Sequence, residues 1–227
     1  MTSTPTSSHP SSSPSPAGTH QPRPTHQLPR APIRPGLAAI LVLGALSLGT
    51  SLPAHAGRYE FDQRRTEVRF VYKMAMATQH GRFTKVSGSL DYNAAAPEKS
   101  KVSATIAAAS LSTGEAIVDN ELKGPEFFNA EASPVIAFKS LSVQPRSATA
   151  ADLAGEITIN GITRRVTLAV SLQPHDDPAL KYDAGAQKFV AKTRIQRSAF
   201  NMTKYKALVD DAVDLEIDAI VRPKPAR

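Results

Sequence analysis

The residues able to carry chemistry in this 227-residue chain are few and poorly spaced for it. Histidine is the usual proton carrier near neutral pH. Beyond residue 56 it occurs only as His80 and His175, 95 positions apart. His175-Asp176-Asp177 has metal-ligating side-chain types, but Pro178 follows and the run reads more simply as a solvated loop. Ser198 has no G-x-S-x-G elbow and no nearby His–Asp pattern. Asp210-Asp211 offers paired carboxylates, yet it precedes a strongly alternating run and reads as an acidic turn. The absence of cysteine removes disulfides, thiol catalysis and thiolate metal sites. No phosphate-cradling glycine motif occurs. Enzymatic function is therefore disfavoured, and no metal or cofactor is expected.

Two features remain that suit binding. Arg197 follows an alternating run and precedes Phe200-Asn201-Met202. Its planar fork suits a phosphate or carbonyl head group, and equally a backbone contact at a barrel mouth. The second feature is the stretch from Val118 to Ser140. It starts at helical spacing, breaks at Gly124-Pro125, passes through Phe127-Phe128 and ends as a strand with Ile136, Phe138 and Ser140 on one face. Adjacent phenylalanines cannot share a face of a regular element, so this pair reads as a plug over an apolar interior.

The elements that must position these residues are mostly strands. Alternation of period two runs through Val68, Phe70, Tyr72, Met74 and Met76, then through 86–92, 102–108, 136–138, 153–159, 166–172, 189–195 and 213–221. These eight runs have one apolar and one mostly polar face, as in antiparallel sheets solvated on one side. Asn160-Gly161 between two of them is a hairpin signal. One helix is expected, opened by a Ser112-Thr113-Gly114-Glu115 capping box and reaching about Lys123. Eight amphipathic strands and one helix suit a closed barrel or a sandwich. A barrel of this strand number either fills with side chains or holds one small ligand. The stripe from Phe70 to Met76 fits both outcomes, since methionine serves as gap filler and as an adaptable ligand surface.

Residues 1–56 read as a signal peptide with a long Pro/Ser-rich basic segment. Leu37 to Leu48 is apolar, Ala54-His55-Ala56 supplies a small-x-small cut site, and 57–227 is left as one domain. The expected destination is the periplasm or the exterior. Without a cysteine after the leader no lipoprotein anchor is expected. Removing Arg23, Arg30 and Arg34 lowers the net charge from +7 to +4, and no basic run favours nucleic acid. The mild excess suits an anionic ligand or transient contact with an anionic membrane surface.

Six segments, in order, resemble the YceI-like family. They are Tyr59 to Phe70, Gly81-Arg82-Phe83 with Val86-Ser87-Gly88, and Ala109-Ser110 with Thr113-Gly114. The others are Asp119 to Ser140, Gly155 to Val166, and Arg197-Ser198-Ala199-Phe200-Asn201-Met202. The resemblance implies an all-β, eight-stranded antiparallel lipocalin-like barrel whose short helix closes an apolar cavity. It also implies a long amphiphile as ligand, such as an isoprenoid quinone, a polyprenyl phosphate or a fatty-acid-like lipid, carried or sequestered without catalysis. The candidate ligand-contacting residues are then Phe70, Tyr72, Met74, Met76, Phe83, Phe127, Phe128, Phe138, Arg197, Phe200 and Met202. Relatives often carry histidine where this chain has Arg65, Met74, Glu121 and Asn160, and glycine where it has Asn201. Asparagine tolerates the left-handed backbone such a turn needs. A side-chain-filled barrel with a protein partner, and less so a small-molecule enzyme, remain as alternatives. A homodimer through an exposed strand or hairpin is compatible with the pattern, without a distinctive motif for it.

Overall fold

The computed structural model describes residues 56–174, 183 and 185–225. The expected leader, apart from Ala56, lies outside the described residues, as does the His175-Asp176-Asp177-Pro178 run. Among the described residues one sheet contains eleven strands. They are β1 (Ala56–Phe61), β2 (Glu67–Met74), β3 (Ala77–Phe83), β4 (Val86–Asn93), β5 (Lys101–Ala107), β6 (Leu111–Ser112), β7 (Val135–Pro145), β8 (Ala150–Ile159), β9 (Ile162–Gln173), β10 (Gln187–Gln196) and β11 (Ala212–Pro223). The helix α1 (Ala116–Lys123) lies between β6 and β7.

Eight of these strands close on themselves in the order β1-β4-β5-β7-β8-β9-β10-β11, with β11 returning to β1. Every pairing is antiparallel, so of the barrel and the sandwich that the alternation suits, the barrel implied by the family resemblance is present. Its membership differs from the eight sequence runs in one respect. The last part of β11 pairs with β1, through Tyr59↔Pro223 to Phe61↔Val221. Its first part pairs with β2, through Asp214↔Val71 to Asp218↔Glu67. Two short strands therefore share one side of β11, and β3 extends the sheet beyond β2. Neither β1 nor β3 announced itself: only Gly81 and Phe83 of β3 are buried, too few to make an apolar stripe.

The stripe beginning at Val68 also requires a correction. It faces inward only as far as Tyr72. The backbone leaves the sheet at Ala75 and Met76, whose φ values are 48° and 69°. Met74 is 41% and Met76 97% exposed. Both central residues of such a two-residue hairpin need positive φ, a conformation normally served by Asn-Gly. An Ala-Met pair carries no such signal, so the alternation runs on in sequence after the strand has ended. The β8–β9 hairpin shows the expected case, with Asn160 at 53° and Gly161 at 71°. Asn201 likewise adopts φ 61° and ends the turn Arg197–Phe200 as expected.

The capping box is the second correction. The helix starts at Ala116 after Glu115, which makes no side-chain cap, and Ser112 lies in β6. Instead, the Asp119 carboxylate reaches back to accept from the Thr113 N–H at 2.6 Å and from the Thr113 hydroxyl at 2.7 Å. The helix is short, and a carboxylate one turn in ties it to the preceding loop.

Two glycines make room for inward aromatic rings. A Cβ on Gly81 would sit 2.1 Å from Phe70 Cζ, and one on Gly155 would sit 2.4 Å from Phe138 Cζ and 2.7 Å from the Lys139 carbonyl oxygen. Gly81→Ala is expected to cost about 1–3 kcal/mol by forcing Phe70 off its position. Urea unfolding should show a lower midpoint with an unchanged slope.

Candidate functional site

The inward faces of the barrel do not meet. They line a tunnel of about 250 Å³ whose walls run from Pro97, Ser100, Ser147 and Thr149 at one end to Arg197, Met202 and Val209 at the other. Strands of twelve residues, as in β9 and β11, tilted by about 40° give a barrel roughly 30 Å tall. The space is therefore long and narrow, and its volume falls just below the usual range of ligand sites, which begins at roughly 300 Å³. Its walls are nearly all carbon, with Leu90, Val102, Ile157, Leu168, Leu215 and Ile217 typical of them.

The helix end is closed by aromatic rings. Phe83 meets Phe128 edge-on with ring centres 5.1 Å apart, and Phe70 lies 5.6 Å from Phe83 and 6.2 Å from Phe128. Phe127 is buried beside them. Four backbone bonds fold the segment after α1 back on the helix: Phe127 N–H to Gly124 O, Phe128 N–H to Leu122 O, Asn129 N–H to Gly124 O and Ala130 N–H to Lys123 O. The Asn160 amide nitrogen donates to the carbonyls of Phe127 and Phe200, tying the β8–β9 turn to this plug. Its Oδ1 is buried without a partner among the described residues.

Arg197 is 5% exposed and stands at the tunnel's closed end. Its guanidinium donates to four carbonyls, those of Asp210 at 3.0 Å, Met202 at 2.7 Å, Lys204 at 2.8 Å and Val209 at 2.9 Å. Four of its five N–H groups are thus engaged in holding the loop 201–210 against the barrel. Asp211 fastens the base of the same loop, accepting from the Ser198 N–H and hydroxyl at 2.8 and 2.7 Å. Glu121 of α1 joins the loop through Lys204 Nζ at 2.7 Å and the Tyr205 hydroxyl at 3.2 Å. Partial burial pulls the Asp119 and Asp211 carboxyls upward. The bonds from Thr113 and Ser198 outweigh it and hold both below the usual carboxylate range. The Lys204 hydrogen bond alone is the largest influence on Glu121 and lowers it too.

The opposite end carries three of the tunnel's hydroxyl-bearing residues, Ser100, Ser147 and Thr149, and an aromatic rim. Tyr92 packs edge-on against Tyr59 at 6.2 Å and Phe189 at 5.6 Å. Burial raises the Tyr92 phenol, and Tyr59 adds to the rise. Outside, ion pairs cover the barrel. Asp62 and Asp183 each bridge Arg65 and Arg222, at distances from 2.7 to 3.2 Å.

The structure places Phe70, Tyr72, Phe83, Phe127, Phe128, Phe138, Arg197 and Met202 on the tunnel wall. Phe200 is buried behind the wall, and Met74 and Met76 lie outside the barrel. Phe61, Tyr92 and Phe189 line the tunnel without having been singled out. The alternation of their strands was the available signal for Tyr92 and Phe189, while Phe61 lies on a strand that alternation did not reveal.

A family model described as a YceI-like domain matches residues 59–221. A UPF0312 protein of Ectopseudomonas mendocina is 30% identical over 181 residues, covering 78% of this chain and 92% of that one. One from Enterobacter is 32% identical with the same coverage. Among solved structures, BcnA of Burkholderia cenocepacia superposes with a TM-score of 0.64 at 24% identity, over 70% of this chain and 98% of its own. A polyisoprenoid-binding domain from Saccharophagus degradans superposes with 0.54 at 13% identity, over 73% and 98%. These two likenesses bear on the fold.

The helix end owes its order to Arg197 and to depressed carboxylates, and both are testable. Arg197→Leu orphans four carbonyls at about 1–3 kcal/mol for each that stays buried. Hydrogen exchange should accelerate across 201–210 well before the barrel strands. A carboxyl with a lowered folded-state pKa stabilises above its unfolded pKa and loses that stabilisation as pH falls through the folded value. The loop and α1 should therefore loosen on acidification below the ordinary carboxylate range, with the midpoint shifted upward in Asp119→Asn and Asp211→Asn.

Proposed function

Because this chain belongs to the YceI-like domain family and encloses a carbon-lined tunnel, we propose that it is an exported binding protein that carries or sequesters one long-chain amphiphile. The observation that carries the reading is the tunnel's small volume within a closed barrel and its walls, almost free of polar groups. An extended hydrocarbon chain fits such a space and a compact polar metabolite does not. Each buried methylene is worth about 0.8 kcal/mol, so ten give roughly 8 kcal/mol gross. Ordering the chain and immobilising it offset a good part of this. The tail supplies most of the affinity, and selectivity for exact length is weak. Isoprenoid and fatty-acid-like lipids both satisfy these demands. A fold neighbour described as polyisoprenoid-binding makes the isoprenoid the first one to try.

Export is read from the leader and the Ala54-His55-Ala56 site. Protein from a periplasmic fraction should begin at Gly57 on N-terminal sequencing; full-length protein retained in the cytoplasm would defeat this part.

Native mass spectrometry of gently purified protein should show one lipid per chain. Phe138→Asp puts an unpaired charge on the tunnel wall, where desolvation costs several kcal/mol. This variant should fold, as judged by circular dichroism, yet carry no lipid. An empty wild type that also takes up no added long-chain lipid would leave the side-chain-filled barrel as the better account.

A further inference from the structure

Exposed large apolar side chains are not spread over this protein. Among the described residues they gather at the helix end of the barrel, with only Leu141 set apart on the outer face of β7 and Val135 at its start. Met74 and Met76 project from the β2–β3 hairpin, Ile117 and Val118 from α1, and Tyr205 and Leu208 from the loop 201–210. These three elements are joined. Ala75 N–H donates to Leu208 O at 2.7 Å, Met74 bridges Val209, and Glu121 of α1 holds Lys204 and Tyr205. Ile117 is 86% and Leu208 57% exposed.

Backbone strain is concentrated at the same place. Apart from three asparagines, the non-glycine residues with positive φ are Ala75, Met76 and Tyr205, among the described residues. Side chains of this kind in that region are costly. Here the strained backbone presents Met76 and Tyr205 outward.

We propose that this apolar cap docks the protein on a phospholipid bilayer, with the capped end inserted at the boundary between head groups and acyl chains. What selects a lipid surface as the occupant is continuity with the tunnel. Phe70 and Tyr72 line it, and Met74 follows them on β2. Met202 and Val209 line it, and Tyr205 and Leu208 lie between them in sequence. Leu122 lines it from the helix that bears Ile117 and Val118. Apolar surface lies on both sides of the Phe127-Phe128 plug, so that in the docked protein only the plug separates the tunnel from the acyl layer. Charge around the cap is mixed: Lys73 and Lys206 are exposed beside it, Glu115, Glu126 and Asp210 are exposed there too, and Lys204 is paired with Glu121. The apolar side chains, and not charge, therefore carry the docking. Docking stands independently of the tunnel's contents, whereas its use in loading rests on the proposed lipid-carrying function.

Flotation of the mature protein, 57–227, with phosphatidylcholine vesicles containing phosphatidylglycerol tests the proposal. The wild type should float, and still do so on pure phosphatidylcholine and at high salt. Ile117→Asp/Leu208→Asp should partition at least tenfold less while still binding cis-parinaric acid, a fluorescent fatty acid, in vesicle-free buffer. If that pair of substitutions disturbs folding, Ile117→Ser, at a position already in solvent, should still weaken flotation severalfold. Absence of wild-type flotation overturns the proposal, as does flotation indifferent to Ile117→Ser. So does a dimer in sedimentation equilibrium that Ile117→Asp/Leu208→Asp dissolves, since the cap would then be covered by a second copy. Wild-type flotation without cis-parinaric acid binding would instead count against the carrier function and leave the docking intact.

Discussion

The structure depends on a closure made by three residue pairs. Tyr59, Glu60 and Phe61 meet Pro223, Arg222 and Val221, and with that contact the first and last strands of the domain turn an open sheet into a barrel. A closed sheet has no edge to leave unpaired and obliges one face of every strand to point inward. The contact is short, and its surroundings reinforce it. Asp62 donates its N–H to the Ile220 carbonyl, Thr66 exchanges bonds with the same residue, and Asp62, Arg65, Asp183 and Arg222 form an ion cluster beside it. Asp62, Arg65 and Asp183 are partly buried here, whereas fully exposed pairs contribute little individually. A network that ties β1, β11 and residue 183 together limits fraying where the ring would open.

Once the ring is closed, its two ends take on different tasks. At one end hydroxyls and tyrosine rings surround the mouth. At the other, a helix, a phenylalanine pair and a loop form a stopper. The stopper is held mostly by polar contacts to backbone: Arg197 to four carbonyls, Asn160 to two, and Asp119 and Asp211 to N–H groups. Arg197 shows how a charge is accommodated beside an apolar tunnel. It does so through carbonyl dipoles, with the Asp211 carboxylate at the base of the loop nearby.

Much of the site was legible because the inside and outside of a barrel strand are written in alternate residues. Phe70, Tyr72, Phe83, Phe127, Phe128, Phe138, Arg197 and Met202 reach the tunnel wall as that reading requires. The failures share a cause. Met74 and Met76 continue the alternation beyond the end of their strand, because a period in sequence carries no mark of where the backbone turns. The Ser112 capping box matched a pattern whose hydroxyl is not at the helix start. In both places a local pattern was overruled by where the neighbouring elements placed the chain.

By itself the sequence determined the class of the fold, the apolar interior and the turns at Asn160-Gly161 and Asn201. Each depends on residue type and spacing over a few positions, so each survives without knowledge of distant contacts. Tertiary structure alone decided that β1 and β2 divide β11 between them, that Arg197 faces carbonyls, and that the interior is a tunnel and not a filled core. It also decided that Met76, Ile117 and Leu208, far apart in the chain, form one exposed apolar end. These follow from strand register and from the width of the closed ring, which are properties of pairing across long sequence separations. No window of neighbouring residues contains them.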